Sequence, residues 1–263
     1  MTDHPDPLLL HRDGAIARLV LNRPDKHNAI TLEMWRTLPR LVAAVEADPD
    51  IKVVIVCGAG GRAFSAGADI SEFAEVYATP ESSRAYNEAV RAGFHAVERL
   101  SRPVLASIGG ICVGGGCGLA LACDLRFAAE GSRFGITPAK LGLVYGYADT
   151  RRLVETVGPA RAKDILFSGR LVEAEEALRI GLVDRVVPVD RLEAETLAYV
   201  AELCERSQYT IRASKRMVQD IMDGFDTETP DSRALFAAGF EGPDFREGYG
   251  AFVAKRRPRF TWG

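Results

Sequence analysis

Residues 103–129, PVLASIGGICVGGGCGLALACDLRFAA, decide the fold class. The run PVLASIGG (103–110) is apolar and ends in glycine, which is typical of a strand buried on both faces. The segment CVGGGCGLALACDLRFAA (112–129) then predicts a glycine-rich turn, a short helix and another strand. Strands that alternate with helices in this way indicate an α/β architecture.

The same alternation extends toward the N-terminus. GAIARLVL (14–21) alternates like a strand, and Thr31 is predicted to cap the helix that follows it. KVVIVCG (52–58) predicts a second buried strand, and residues 81–100 predict a helix. The first residues, MTDHPDPLLL (1–10), are acidic and rich in proline, so we expect a few disordered residues there and no signal or transit peptide.

The character of the chain changes near residue 190. Residues 190–206, 208–223 and 229–256 are predicted to form amphipathic helices with no strand between them. We therefore divide the chain into a core, residues 1–205, and a C-terminal helical region, residues 206–263.

Composition excludes several classes of protein. The net charge of -3 and the pI of about 5.9 argue against a nucleic-acid-binding surface. No run reaches the roughly 18 apolar residues of a membrane span. The cysteine count of five is odd and the four histidines are scattered, so we expect reduced, buried thiols and no metal site. These features predict a cytoplasmic protein that binds neither nucleic acid nor membrane.

Two small-residue segments are candidates for binding negative charge. Gly114–Gly116 follow a predicted strand and open a helix, whose first N–H groups have no intrahelical acceptor. Phe64–Ile70 is a loop of small residues after another strand, so a ligand can approach its backbone closely. Taken separately, each also fits an ordinary packing turn or loop. A nucleotide-binding P-loop is excluded, because no Gly-Lys-Ser/Thr follows the glycines.

Taken together, these segments resemble the enoyl-CoA hydratase/isomerase (crotonase) superfamily. The resemblance covers nearly the whole chain, and its motifs come in the family's order. They are LNRPDKHNAI (21–30), AFSAGADI (63–70), GGICVGGGCGLALACDLRFAA (109–129), FGITPAKLGL (134–143), and the tail motifs FREG (245–248) and FVAKR (252–256).

The resemblance implies a spiral of ββα repeats with a C-terminal α-helical region that assembles trimers or dimers of trimers. It also implies an acyl-CoA thioester whose carbonyl oxygen lies between two backbone N–H donors. By motif, these donors are Ala68 and Gly115. Such an oxyanion hole stabilises the enolate through which many reactions at Cα or Cβ of a thioester pass.

The same resemblance implies a binding site for the CoA part of the substrate, so that no separate cofactor is expected. Backbone groups of the first motif would hold the adenine and pantetheine ends, the second motif would also touch the ligand, and a tail lysine would approach the CoA phosphates, sometimes from a neighbouring subunit. The matching residues are Lys26, His27, Ala29, Ala66, Ile70 and Lys255.

The chain departs from the hydratase pattern at two positions. Hydratases of this family resemble one another in two glutamates that flank a water molecule, and the matching positions here are Gly118 and Pro138. Neither residue can take a proton from water or deliver one to Cα. Pro138 instead fits the first turn of a helix that Thr137 is expected to cap.

Two residues are candidates to replace the missing carboxylates. The segment 137–145 resembles that of the family's methylmalonyl-CoA decarboxylases, which carry a tyrosine at the position of Tyr145. The match is partial, because those decarboxylases carry a histidine where this chain has Ala68. Asp149 lies four residues past Tyr145, in the stretch where the resemblance implies acids in relatives with isomerase or dehalogenase chemistry, although it is not in register with the dehalogenase aspartate. The alternatives are a packing aromatic for Tyr145 and the N-cap of a helix that begins at Thr150 for Asp149.

Three functional hypotheses remain open. The first is an acyl-CoA lyase or isomerase that decarboxylates its substrate or moves a double bond. The second is an enoyl-CoA hydratase of low activity, and the third is a non-catalytic acyl-CoA-binding protein. The residues that separate them are Gly118, Pro138, Tyr145 and Asp149.

Overall fold

The computed structural model describes residues 6–261. Its larger sheet has six strands, in the order β1 (Leu8–Asp13), β2 (Ile16–Leu21), β3 (Val53–Gly58), β5 (Val104–Ile108), β7 (Leu125–Ala129) and β10 (Arg185–Val187). The smaller sheet has four, in the order β4 (Ala63–Ser65), β6 (Ile111–Val113), β8 (Arg133–Gly135) and β9 (Val172–Glu173). Numbered along the chain, the α-helices are α1 (Leu32–Ala47), α2 (Phe73–Val76), α3 (Pro80–Arg99), α4 (Gly115–Ala122), α5 (Tyr147–Ser168), α6 (Ala174–Arg179), α7 (Leu192–Cys204), α8 (Gln208–Met222), α9 (Pro230–Glu241) and α10 (Pro243–Val253).

From β3 to β8, successive strands along the chain alternate between the larger and the smaller sheet. β3, β5 and β7 are parallel neighbours in the larger sheet, and the strand after each, β4, β6 and β8, adds to the smaller one in parallel. A helix follows each pair, which gives a spiral of ββα repeats. The predicted α/β class is confirmed, and the carboxyl ends of β4 and β6 lie side by side.

The core fills the space between the sheets and the helices α1, α3 and α4. Its largest buried side chains include Trp35, Phe64, Phe94 and Phe134. Thr31 caps α1 through a hydrogen bond that its hydroxyl accepts from the Met34 N–H at 3.3 Å, as predicted. The apolar faces of α1 and α3 pack on each other beneath the loops that follow β4 and β6.

The structure corrects several details of the sequence prediction. Leu8–Asp13 form an antiparallel hairpin with β2, a strand that the sequence analysis did not predict. The few leading residues expected to be disordered fall on residues 1–5, which lie outside the described residues, so that expectation stays a prediction. The long C-terminal helix predicted over 229–256 is two helices, because Gly242 ends α9 and Pro243 begins α10. Of the five cysteines, all unpaired, three are buried and two are partly buried.

The predicted helix after Thr137 is also wrong. Pro138–Lys140 form a short 3₁₀ turn, and the Thr137 side chain makes no capping hydrogen bond. Within residues 6–261, none of the helices combines the length and the apolar character that crossing a bilayer requires.

Candidate active site

The loop after β4 is held in place by a buried serine. Ser65 Oγ donates to the Asn28 carbonyl at 2.8 Å and accepts from the Gly67 N–H at 3.1 Å. Gly67 has a φ of 92°, and a Cβ there would lie 2.8 Å from the Val113 carbonyl oxygen. A side chain at residue 67 is therefore excluded on both conformational and steric grounds. Because glycine has no side chain, the two loops can touch here.

The predicted oxyanion donors, Ala68 and Gly115, are neighbours across this contact. A Cβ on Gly115 would lie 3.7 Å from the Ala68 nitrogen, so standard backbone geometry puts the two nitrogens no more than about 6 Å apart. The bridge between Ile30 and Ala68 uses the N–H groups of Ile30 and Asp69, which leaves the Ala68 N–H on the opposite side. Gly115 is the first residue of α4, so its N–H has no intrahelical acceptor. This spacing is compatible with the predicted oxyanion hole, and the role of the two N–H groups stays a prediction.

A cavity of about 210 Å³ opens beside these two donors. Six of the predicted site residues line it, namely Ala66, Ala68, Ile70, Gly115, Tyr145 and Asp149. The remaining wall comes mainly from α1, α2 and α3 and from the segment 137–146. This volume is small for a ligand pocket, so the space beside the donors suits a short acyl group.

Gly118, one of the two positions where the resemblance leads us to expect a hydratase glutamate, lies against Tyr145. A Cβ on Gly118 would be 2.9 Å from Tyr145 Oη and 2.8 Å from Phe94 Cζ. The Tyr145 hydroxyl oxygen is inaccessible to solvent and makes no hydrogen bond to any described residue, and burial raises the pKa of Tyr145 well above its usual value. The space beside Gly118 is thus filled by the neutral phenol of Tyr145, which lies between β8 and α5 in the chain.

Asp149 is held in the cavity wall by an arginine. Its Oδ1 accepts from Arg152 Nη1 at 2.7 Å, and Arg152 also binds Glu98 through two hydrogen bonds of 3.1 and 2.8 Å. Burial raises the pKa of Asp149 although Arg152 opposes this effect. Helix α5 begins at Tyr147 with Gly146 as its N-cap, so Asp149 is in the first turn and is not the N-cap.

The predicted CoA-binding residues are not all part of this cavity. Lys26 and His27 are exposed in a 3₁₀ turn outside it, and Ala29 is buried next to them. The His27 carbonyl accepts a hydrogen bond of 2.8 Å from the Ala66 N–H, which ties this turn to the loop after β4. Lys255 is exposed just beyond α10 and does not line the cavity. The roles of these four residues stay predictions.

Sequence reasoning missed the aromatic half of the cavity. Trp35, Tyr77 and Tyr86 line it together with Phe94 of α3, which packs edge-on against Trp35 with ring centroids 4.8 Å apart. The signal for Trp35 was available, because Trp35, Leu38 and Val42 repeat at helical spacing. Within residues 6–261, no three His, Cys, Asp or Glu side chains cluster in a way that could hold a metal ion.

Comparisons with known proteins agree with this geometry. The family model for enoyl-CoA hydratase/isomerase matches residues 11–262. A crotonyl-CoA hydratase from Syntrophomonas wolfei is 32% identical over 96% of this chain and 97% of its own.

Two solved structures extend the comparison. An enoyl-CoA hydratase/isomerase family protein from Hyphomonas neptunium is 45% identical, with a TM-score of 0.95 over 98% of both chains. An enoyl-CoA hydratase/carnithine racemase from Magnetospirillum magneticum is 37% identical, with a TM-score of 0.94 over 99% of this chain and 97% of its own. The chain therefore belongs to the enoyl-CoA hydratase/isomerase family of acyl-CoA enzymes.

Proposed function

We propose that the chain converts a short acyl-CoA through a thioester enolate, by decarboxylation or by moving a double bond, and that standard water addition is not its main reaction. The observation that carries this proposal is the contact between Gly118 and Tyr145. A glutamate at 118 would extend from a Cβ that lies only 2.9 Å from Tyr145 Oη and 2.8 Å from Phe94 Cζ, so these side chains would have to shift to admit it.

Water addition needs one group that takes a proton from water and one that delivers a proton to Cα. Among the described residues that line the cavity, Asp149 carries the only carboxylate. The second hydratase position is Pro138, which begins the 3₁₀ turn in the cavity wall. One carboxylate and a phenol with a raised pKa suit a reaction that needs a single base or none.

Decarboxylation is the candidate that Tyr145 favours. The bond between Cα and the substrate carboxylate breaks, its electron pair forms the enolate, and CO₂ leaves without a base. Once substrate binding exposes the Tyr145 O–H, which is sealed from solvent in this structure, it can orient the carboxylate beside the apolar ring of Phe94, which destabilises that charge. The enolate oxygen would be bound by the N–H groups of Ala68 and Gly115, each such donor being commonly worth about 2.7–4 kcal/mol in the transition state.

Double-bond isomerisation is the candidate that Asp149 favours. One carboxylate can take a proton from Cα of a 3-enoyl thioester and return it at Cγ, so that the double bond moves into conjugation. A raised pKa suits this role, because an acid that titrates closer to neutral pH can both accept and return the proton. Hydration is kept as the alternative, since the relative from Syntrophomonas wolfei is named a crotonyl-CoA hydratase.

A panel of thioesters tests the proposal. Crotonyl-, 3-enoyl-, methylmalonyl- and malonyl-CoA are each incubated with the protein, and the products are identified by mass spectrometry. We expect CO₂ loss from a malonyl-type thioester or isomerisation of the 3-enoyl thioester, with crotonyl-CoA hydrated far more slowly. Rapid hydration of crotonyl-CoA would show that the proposal is wrong. Binding of all four without turnover would instead favour the non-catalytic acyl-CoA-binding protein.

We further propose that the chain is a cytoplasmic protein that forms a trimer or a dimer of trimers. What supports the assembly is a band of exposed aromatic side chains along the C-terminal helices. Its members contact one another in sequence, with ring centroids 5.1–6.5 Å apart: Phe236, Phe240, Phe245 and Tyr249. In such an assembly Lys255, exposed at the end of α10, would approach the CoA phosphates of its own or a neighbouring subunit.

A further inference from the structure

Helix α5 carries a buried arginine whose side chain bonds two carboxylates. Arg152 is 9% exposed. Its Nη1 donates to Asp149 Oδ1 at 2.7 Å, and its Nε and Nη2 donate to Glu98 Oε1 and Oε2 at 3.1 and 2.8 Å. One guanidinium therefore joins the carboxylate in the cavity wall to a carboxylate on α3.

Only one end of this network reaches the active-site cavity. Asp149 lines that cavity, whereas Arg152 and Glu98 line a separate outer cavity of about 400 Å³ between α3 and α5. The Arg152 guanidinium carbon also lies 5.8 Å from the centre of the Phe94 ring, which belongs to the wall of the active-site cavity. Arg152 and Glu98 would therefore act on a bound acyl group through Asp149.

The geometry leaves one oxygen of Asp149 for the substrate. An arginine side chain presents its donors as a rigid planar fork, and Glu98 takes two of them, which fixes the orientation of the third toward Asp149 Oδ1. Asp149 Oδ2 makes no hydrogen bond within residues 6–261. It lies beside Gly146, which also lines the cavity, and a Cβ on Gly146 would be only 2.8 Å from it.

The two carboxylates share one positive charge. Burial raises the pKa of Asp149 most, Arg152 opposes this effect, and Glu98 raises the pKa further. Two other titratable side chains face the network: the Tyr145 phenol lines the same cavity from the segment before α5, and His95 Nδ1 on α3 lies 4.0 Å from Glu98 Oε2. The other charged residues of the outer cavity each have an ion-pair partner: Arg91, Arg99, Arg151 and Glu155.

We propose that Arg152 and Glu98 are positioning residues for Asp149: Arg152 holds Oδ1 so that Oδ2 is left for the substrate, and Glu98 fixes Arg152 and takes up part of its charge. The proposal rests on the function proposed above, in which Asp149 is the base. Glu98 thereby acts on the reaction without touching the acyl group. Because it draws on the charge of Arg152, it keeps the Asp149 carboxylate basic enough to take a proton from Cα and return it.

Titration of Asp149 in the resting protein tests the proposal and needs no turnover. The carboxyl carbons of aspartate are labelled with ¹³C, and the NMR signal of Asp149 is identified by its loss in Asp149→Asn. Glu98→Gln removes the competing charge and should lower the pH midpoint of Asp149, whereas Arg152→Gln removes the stabilising charge and should raise it. Arg152→Lys keeps the charge, so its midpoint should lie between those of the wild type and Arg152→Gln.

The pH profile of turnover should move with the titration. At a pH below the wild-type midpoint, Glu98→Gln should keep roughly threefold or more of the fraction of its maximal kcat that the wild type keeps. The matched control is Glu46→Gln, which breaks another buried arginine pair outside the cavity, that of Arg102 Nη1 and Glu46 Oε1 at 2.6 Å, and should leave the midpoint of Asp149 unchanged.

Two results would overturn the proposal: a midpoint that does not fall in Glu98→Gln, or one that falls equally in Glu46→Gln. If Arg152→Gln does not fold, Glu98→Gln is sufficient, because glutamine keeps the shape of the glutamate side chain. Failure of the proposed function appears separately, as a kcat that Asp149→Asn leaves unchanged, while the titration still reports whether Glu98 and Arg152 control this carboxylate.

Discussion

Replacing Tyr145 by phenylalanine should make the protein more stable and less active. The hydroxyl oxygen of Tyr145 is inaccessible to solvent and has no hydrogen bond among the described residues. A buried polar group left in this state costs about 1–3 kcal/mol. Removing the oxygen recovers most of that cost and gives up only its few van der Waals contacts, which include the close approach to Gly118. We expect a net gain of about 1 kcal/mol in the free energy of unfolding.

For a chain of this size, that gain corresponds to a rise in Tm of about 2–4 °C. Differential scanning calorimetry without ligand measures it, and turnover of the substrate found in the thioester panel measures activity. If the hydroxyl orients the reacting group, Tyr145→Phe should lower kcat at least tenfold and leave CoA binding unchanged.

The two effects have opposite signs, which a packing role cannot produce. Tyr199→Phe is the control, because it removes a phenol oxygen outside the cavity and should change neither Tm nor kcat. A Tyr145→Phe variant that is less stable than the wild type, or equally active, would refute the reasoning. In that case the role proposed for Tyr145 would pass to Asp149.

Three further predictions follow from the same cavity and from the C-terminal helices. Because burial raises the pKa of Asp149, activity that needs its carboxylate should be lost as pH falls through a midpoint above the ordinary value of 3.8. Asp149→Asn should lower kcat about 10²–10⁴-fold and remove this loss of activity at low pH from the profile. Gly118→Ala should lower the free energy of unfolding by about 1–3 kcal/mol, because the added methyl overpacks the site, and Tyr145→Phe should relieve part of this loss. If the effects of the two substitutions on the free energy of unfolding are additive in a double-mutant cycle, the contact between the two residues is contradicted. Light scattering should show a trimer or hexamer that Phe240→Asp dissociates, and a wild-type monomer at micromolar concentration would rule out the assembly.

The alternation of strands and helices made the fold predictable, because buried parallel strands appear as continuous apolar runs. KVVIVCG (52–58) and PVLASIGG (103–110) both became strands of the larger sheet. The N-terminal strand could not be found in the same way. Leu8–Asp13 run LLLHRD, with neither a continuous apolar run nor strict alternation, and their pairing with β2 comes from the turn at Gly14, whose φ is 56°.

The candidate site was predictable where it depends on backbone, and less so where it depends on side chains from separate repeats. Ala68 and Gly115 were assigned by the resemblance of two small-residue segments to the family's motifs, and the structure makes them neighbours. The position of Tyr86 in the cavity depends on how α1 and α3 pack, and no local pattern encodes that packing. The start of α5 at Tyr147 was missed because its N-cap is Gly146, which offers no side-chain signal.

The contact between Gly118 and Tyr145 means that a glutamate at 118 would require Tyr145 or Phe94 to shift from its present position. A glutamate at 118 would extend from a Cβ already 2.9 Å from the Tyr145 hydroxyl oxygen and 2.8 Å from Phe94. Conversely, the Tyr145 ring can reach this position only because residue 118 has no side chain. Enlarging residue 118 alone therefore leaves a steric conflict, and replacing the Tyr145 ring alone by a small side chain leaves an unfilled space, each of which lowers stability. The residues at 118 and 145 would have to be substituted together to avoid this loss, so Gly118 and Tyr145 form a coupled pair.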